Sequence, residues 1–311
     1  QWWAGDGIMS GQNAKRTPLT ALVTGGSGFL GQALTDALAE RGDKVVVFDL
    51  NLPAEDARLP GVTYVEGDIT RSGAIEAVIA RFGIDAILHL AALVIPACRS
   101  NPVLGAKVNV IGHINILEAA VKAGIERVVY ASSLAARPRG PLASPVNLYG
   151  VFKHCCEEIS KVYFLDHGLG SVGLRPNVVY GPGRTSGETA AITLAMRAAA
   201  RGEAYELPFS GRMCFQHVDE VTEIFLRCLD KPASAPVVSD LTTEIESMHD
   251  VADAIRAVIP NAAITVADNP RPVPETMDNA PLRAFLGSWP AISLMEGTRR
   301  TIEAFRETVE S

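Results

Sequence analysis

Ala21-Leu22-Val23-Thr24-Gly25-Gly26-Ser27-Gly28-Phe29-Leu30-Gly31 is the stretch on which the fold turns. Its first four residues form a short apolar run suited to a buried strand, and Ala33, Leu34, Ala37 and Leu38 then recur at helical spacing. Glycines at 25, 28 and 31 therefore fall where strand becomes helix. The first permits the tight turn, the second lets a pyrophosphate approach the backbone, and the third lets helix pack closely on strand. A glycine pattern alone also fits an ordinary strand-to-helix turn. The next apolar run, Lys44-Val45-Val46-Val47-Phe48-Asp49, separates the two, because it ends in an acid 18 residues after Gly31. A carboxylate there accepts both ribose hydroxyls of an adenosine and repels a 2′-phosphate. No arginine follows at once; Leu50 and Asn51 do. The motif reads as a dinucleotide site, with NAD rather than NADP as the cofactor.

Outward from this motif the alternation continues. Val62-Thr63-Tyr64-Val65 runs into Gly67-Asp68-Ile69, Ala86-Ile87-Leu88-His89-Leu90 into Ala91-Ala92, and Arg127-Val128-Val129-Tyr130 into Ala131-Ser132-Ser133. Apolar helical stretches separate these runs. Repeated strand-then-helix units predict an α/β protein, a Rossmann-type doubly wound parallel sheet covered on both faces. Ligands in such sheets lie beyond the carboxyl ends of the strands, where Asp68, Ala91, Ala92 and Ser133 fall. The expected organisation is a NAD-binding domain over 19–181 that carries the catalytic residues. Residues 182–311 are then mainly a small substrate-binding lid region that partly completes the sheet. Residues 1–18, with Trp2 and Trp3 beside Gly5, Asp6 and Gly7, read as a tag or disordered arm.

The 311 residues are 48% hydrophobic and 20% charged, which excludes a disordered chain. Lys and Arg number 28 against 35 Asp and Glu, a formal charge of −7, and no basic run stands out. A nucleic-acid partner is not expected on that basis. No apolar stretch is long enough to span a bilayer. The five cysteines lack Cys-x-x-Cys spacing, and their odd number suits reduced thiols in the cytoplasm better than a disulfide framework. His113, His154, His167 and His249 lack metal-ligand spacing, His89 reads as structural, and no metal is expected.

Taken together, Gly25-x-x-Gly28-x-x-Gly31, Asp49, Gly67-Asp68-Ile69, His89-Leu90-Ala91-Ala92, Asn109, Ser132-Ser133, Tyr149-x-x-x-Lys153 and Arg175-Pro176 form an ordered series. The chain in this respect resembles the extended short-chain dehydrogenase/reductase superfamily, in its NAD-dependent epimerase/dehydratase branch, from about Ala21 to the C-terminus. The resemblance implies that Phe29 and Leu30 offer amides to the pyrophosphate. It further implies that Asp68 and Ile69 lie against the adenine, and that Ala91, Ala92 and Asn109 lie along the cofactor. Segment 171–183 is similar to the family strand that closes over the nicotinamide, which brings Pro176 and Val178 to the cofactor. The resemblance also implies a homodimer, with helices at about 102–124 and 149–167 pairing with their copies in a four-helix interface.

Ser133, Tyr149 and Lys153 carry the expected chemistry. Tyr149 and Lys153 are four apart in a segment, Tyr149 to Phe164, that reads as helix, so they share a face. A phenol is a poor base at neutral pH, and a neighbouring ammonium favours its ionised form. Tyr149 then removes the proton of a substrate hydroxyl while hydride leaves the same carbon. Ser133 hydrogen-bonds the substrate oxygen; the family aligns its active hydroxyl with this serine rather than with Ser132. Lys153, as the family's lysine does, holds the ribose hydroxyls.

Substrate choice is expected from the C-terminal half. Nucleotide-sugar epimerases usually carry Arg-x-x-Asn, with the Asn on the sugar diphosphate; here that position is Val178. The Arg-Asp pair common before Phe215-Gln216-His217-Val218-Asp219 is replaced by Met213-Cys214, with Arg212 shifted by one. A buried diphosphate needs fixed donors. These departures favour an NAD-dependent dehydrogenase acting on a secondary alcohol of a small polar molecule: a hydroxy acid, sugar acid or lactone, polyol, or hydroxyamino acid. Arg184, Thr185 and His217 are candidate substrate contacts. The alternatives are a nucleotide-sugar epimerase or dehydratase with tightly bound NAD, and a non-catalytic NAD-sensing protein.

Overall fold

The computed structural model describes residues 16–139, 142–271 and 276–310. In chain order the elements begin β1 (Thr20–Thr24), α1 (Phe29–Glu40), β2 (Lys44–Asp49), β3 (Thr63–Glu66), α2 (Ala74–Phe82), β4 (Ala86–His89), α3 (Ile95–Ser100) and α4 (Pro102–Ala106). They continue α5 (Gly112–Ala123), β5 (Arg127–Ala131), α6 (Leu148–His167), β6 (Val172–Arg175), β7 (Val178–Tyr180), α7 (Ala191–Ala200), β8 (Tyr205–Leu207), β9 (Arg212–Met213) and β10 (Phe215–His217). The remainder is α8 (Val218–Asp230), β11 (Val237–Asp240), β12 (Glu246–Ser247), α9 (Met248–Val258), β13 (Ile264–Val266), α10 (Ala280–Leu286) and α11 (Leu294–Glu310).

Seven parallel strands form the central sheet in the order β11-β6-β5-β4-β1-β2-β3. The Rossmann-type fold is therefore present. Its strand order reverses between β1 and β4, where a crevice opens at the carboxyl ends. Thr24 is level with both Phe48 and His89 in register, so the segments leaving β1, β2 and β4 emerge side by side.

Sheet burial on both faces explains the apolar runs. Side chains alternate along a strand: Ala21 and Val23 pack with α1 and α8, while Leu22 packs on the other face with Ile75, Ile116 and Leu117. A further core joins α7, α9 and α11 through Ile192, Met196, Ile255 and Ile302.

One expectation is refined and one changes. The helix expected over about 102–124 runs without a break from Pro102 to Ala123, widened into a π turn over Lys107–Ile111 between α4 and α5. The arm assigned to residues 1–18 ends earlier, because Arg16 is anchored to Asp43 at 2.6 Å and to Asp230 at 3.5 Å; residues 1–15 lie outside the described residues.

Candidate active site

Gly25 turns the chain out of β1 at φ +71°. A Cβ there would stand 2.7 Å from the Ala91 nitrogen, so glycine is what lets the β1 and β4 exits lie this close. Gly31 is as tightly held: a Cβ would overlap the Gly25 carbonyl oxygen and lie 2.6 Å from Gly26 Cα. Gly28 differs, since a Cβ would meet only the Gly25 oxygen, at an ordinary 3.4 Å. Its missing side chain keeps open the cleft, not the fold. No side chain caps the first turn of α1, which leaves the amides of Phe29 and Leu30 for an anion.

This cleft has a volume of about 490 Å³ and is lined by Gly25, Gly28, Asp49, Asp68, Ile69, Ala91 and Ala92 among others. Asp49 is oriented by the Ser27 amide at 3.0 Å and the Asn51 amide at 3.2 Å. The Thr70 amide and hydroxyl, at 2.9 and 2.8 Å, hold the Asp68 carboxyl below its usual pKa. A bare glycine, free helix amides and a backbone-held acid at the next strand end together fit a dinucleotide.

The candidate residues Ser133 and Lys153 are placed at the end of β5, with Tyr149 one helical turn before Lys153. Asn147 caps α6 by accepting the Gly150 amide at 2.8 Å, which starts the helix one residue before Tyr149. Lys153 is buried, donates from Nζ to the Ala131 carbonyl at 2.6 Å, and lies 5.8 Å from the Tyr149 ring centroid. Two residues beyond Ala131, Ser133 caps a single 3₁₀ turn, its Oγ accepting the Ala135 amide at 3.1 Å. Gly150 seats α6 on that turn, for a Cβ there would overlap the Ala135 carbonyl oxygen. A glycine just inside the helix that carries Tyr149 and Lys153 is a sequence signal of this close approach.

A buried charge network lies behind the serines, and sequence reading missed it too. Ser132 Oγ donates to Glu157, so it is a structural hydroxyl, while Ser133 stays at the open end. Arg175 forks onto the same carboxylate at 2.7 and 2.6 Å. Arg137 continues to Asp240 at 2.6 Å. Burial pushes the Asp240 carboxyl up, against its amide bond from Asp278 and the two arginines. Tyr149, Lys153 and Glu157 follow at four-residue steps on one face of α6, which ties this network to the candidate pair Tyr149 and Lys153.

Nearby, His89 bonds Thr24 Oγ1 at 2.8 Å through Nδ1, and His113 bonds Ser160 Oγ at 2.9 Å through Nε2. Burial drives the His113 pKa down to about 3 and lowers that of His89 as well, with the Lys153 charge acting in the same direction. Both rings are therefore neutral and structural.

Several expected contacts are placed otherwise. Asn109, on the π turn, spends its amide on the Leu93 backbone, accepting at 2.7 Å and donating at 2.9 Å. It thus holds the cleft-lining loop instead of facing a cofactor. Val178 is 1% exposed and packs with Tyr180 and Ile192, so its side chain serves the core and not the cofactor. The Pro176 carbonyl takes the Leu134 amide at 3.0 Å, tying this strand to the serine turn. His217 is 1% exposed and caps α8, its Nδ1 accepting the Asp219 amide at 3.3 Å, while its Nε2 is buried without a partner. Thr185 points to solvent, whereas Thr189, which sequence reading left out, accepts a bond from Arg184 Nη2 at 3.1 Å. Arg184 also lies over the Phe29 ring, 5.4 Å from its centroid.

A family model described as "NAD dependent epimerase/dehydratase family" matches residues 21–241. The UDP-glucose 4-epimerase of Mycolicibacterium smegmatis is 28% identical over 316 residues, covering 93% of this chain and 99% of that protein. Among solved structures, the Thermus thermophilus UDP-glucose 4-epimerase in complex with NAD superposes with a TM-score of 0.78 at 25% identity, over 93% of this chain and 99% of that one. The L-threonine dehydrogenase of Cupriavidus necator has the same fold, with a TM-score of 0.80 at 23% identity over 92% and 99%.

Proposed function

The chain belongs to the NAD dependent epimerase/dehydratase family, with NAD as its cofactor, and from that premise we propose that it is a dehydrogenase of small polar secondary alcohols. Tyr149 Oη takes the proton of the substrate hydroxyl, and the Lys153 ammonium supplies positive charge beside the phenol. One Lys153 N–H is committed to Ala131, which fixes the ammonium and leaves two donors for ribose hydroxyls. Ser133 Oγ, on a turn fixed by Gly150 and Pro176, steadies the substrate oxygen. NAD, when bound, supplies the nicotinamide that accepts the hydride. Gly28, Phe29, Leu30, Asp49, Asp68 and Ile69 are the residues that would hold its pyrophosphate and adenosine.

The observation that carries the choice of a small substrate is the state of position 178. Val178 is committed to the core and offers no donor to a diphosphate. We further assign the protein to the cytoplasm as a homodimer. Exposed Val103, Leu104, Ile111, Leu148, Val151 and Val162 on the 102–124 stretch and α6 support that assembly. Among the described residues no helix is long and apolar enough to cross a membrane.

A second reading, a nucleotide-sugar epimerase, is favoured by the name of the full-length Mycolicibacterium relative. One experiment separates them. Hydroxy acids, sugar acids, hydroxyamino acids and polyols are offered with NAD, and NADH is followed by absorbance. In parallel, UDP-glucose is offered without added cofactor and assayed for its 4-epimer. NADH formation that Tyr149→Phe abolishes supports the dehydrogenase; epimerisation without net NADH overturns it.

A further inference from the structure

The loop between β7 and α7 carries a single arginine whose bonding is incomplete. Arg184 donates to Thr189 through Nη2, while its Nε is buried and has no hydrogen-bond partner. A guanidinium presents five N–H donors in a rigid fork, and burying them without acceptors is costly. Three other partly buried arginines of this chain meet carboxylates, Arg175 on Glu157, Arg137 on Asp240 and Arg41 on Asp43, whereas Arg127 Nε, like that of Arg184, is buried without a partner. Among the described residues no carboxylate pairs with Arg184. Desolvation lowers its pKa, with the Tyr149 phenol acting against that shift. The guanidinium also lies over the Phe29 ring, 5.4 Å from its centroid.

We propose that Arg184, with the Thr189 hydroxyl beside it, receives a carboxylate of the substrate, so that the alcohol oxidised at Tyr149 belongs to a hydroxy acid. The inference rests on the dehydrogenase reading for the reaction, but not for the binding. A planar anion with two oxygens matches a planar fork. The cofactor pyrophosphate already has its own donors in the uncapped first turn of α1. A formal charge of −7 on the whole chain repels small anions, so an acid substrate needs a local cation of this kind.

Calorimetric titration of the NADH-loaded protein tests this without turnover. Threonate is compared with threitol, its uncharged counterpart of the same carbon number, and UDP is titrated separately. Threonate is expected to bind about tenfold or more tightly than threitol, as loss of a charge-assisted pair implies. Arg184→Gln should remove that preference, Arg184→Lys should restore part of it, and NADH affinity should change less than about twofold. Equal binding of threonate and threitol by the wild type overturns the proposal. So does an Arg184→Gln protein that loses NADH affinity tenfold, which makes the guanidinium a pyrophosphate clamp. Binding of UDP, but not threonate, that depends on Arg184 overturns it in favour of a diphosphate. If threonate binds through Arg184 yet no tested acid yields NADH with NAD, the dehydrogenase reading falls and the carboxylate receptor stands.

Discussion

Alanine at Gly28 and alanine at Gly31 should fail in opposite ways, and the contrast tests whether the cleft is a pyrophosphate cradle. At Gly31 the added Cβ would overlap the Gly25 carbonyl oxygen and approach Gly26 Cα to 2.6 Å, all of it backbone that no side-chain rotation relieves. Overpacking of this type costs about 1–3 kcal/mol. With an unfolding entropy of about 2.1 cal/mol/K per residue, about 2 kcal/mol lowers Tm by roughly 3 °C in a chain of this length. At Gly28 the Cβ meets only the Gly25 oxygen at 3.4 Å, and φ is −76°, a value any residue accepts. Gly28→Ala should therefore leave Tm within about 1 °C. It should nonetheless weaken NAD about tenfold or more, because the methyl occupies the approach that the first turn of α1 offers to an anion. The assays are thermal unfolding without cofactor and calorimetric titration of NAD into each folded variant. A Gly28→Ala protein that is as stable as the wild type and binds NAD within twofold of it refutes the placement of the pyrophosphate.

Tyr149→Phe should bind NAD normally and lose about 10²–10⁴-fold in turnover; near wild-type rates remove the phenol from the proton-transfer role. Asp49→Ala should lower the NAD to NADP preference measured as a ratio of binding constants, since Asp49 stands at the strand end held by two amides; an unchanged ratio counts against the ribose contact. Glu157→Gln leaves the partly buried Arg175 with only Asp240, 3.8 Å away, and should cost about 2–3 kcal/mol in urea unfolding; a loss below about 1 kcal/mol would mean the network holds nothing together. For acid stability, the His113 pKa lies at about 3 in the folded chain against 6.5 as its reference, so below 6.5 the unfolded state binds the extra proton. Stability contributed by the neutral ring is complete above pH 6.5 and falls by about 1.4 kcal/mol per pH unit toward the folded value. His113→Gln should flatten urea midpoints between pH 6.5 and 5, and an unchanged slope rejects the buried neutral ring.

What could be read ahead of the structure was what is local along the chain. The β1 turn, its three glycines and Asp49 lie within one β–α–β unit, so spacing alone reports their geometry. Tyr149 and Lys153 were legible for the same reason, one helical turn apart on α6. The division of labour between Ser132 and Ser133 is not local. It depends on Glu157, which is 25 residues away from Ser132 and is itself held by Arg175. Adjacent serines at a strand end look alike in sequence, and only the partner chosen by tertiary packing makes one structural and leaves the other at the open end.

Position 178 shows the same principle acting on specificity. Side chains alternate in a strand, and in β7 Val178 and Tyr180 go to the core built around α7 while Val179 goes to the sheet core. A polar group at 178 would therefore need a partner within that core, or a ligand that reaches it; valine needs neither. Arg184, six residues on, has the reverse problem, a buried fork donor with no acceptor. The pocket has thus lost a polar demand at one point and kept one at another. An acceptor for that donor is what the proposed substrate carboxylate would supply.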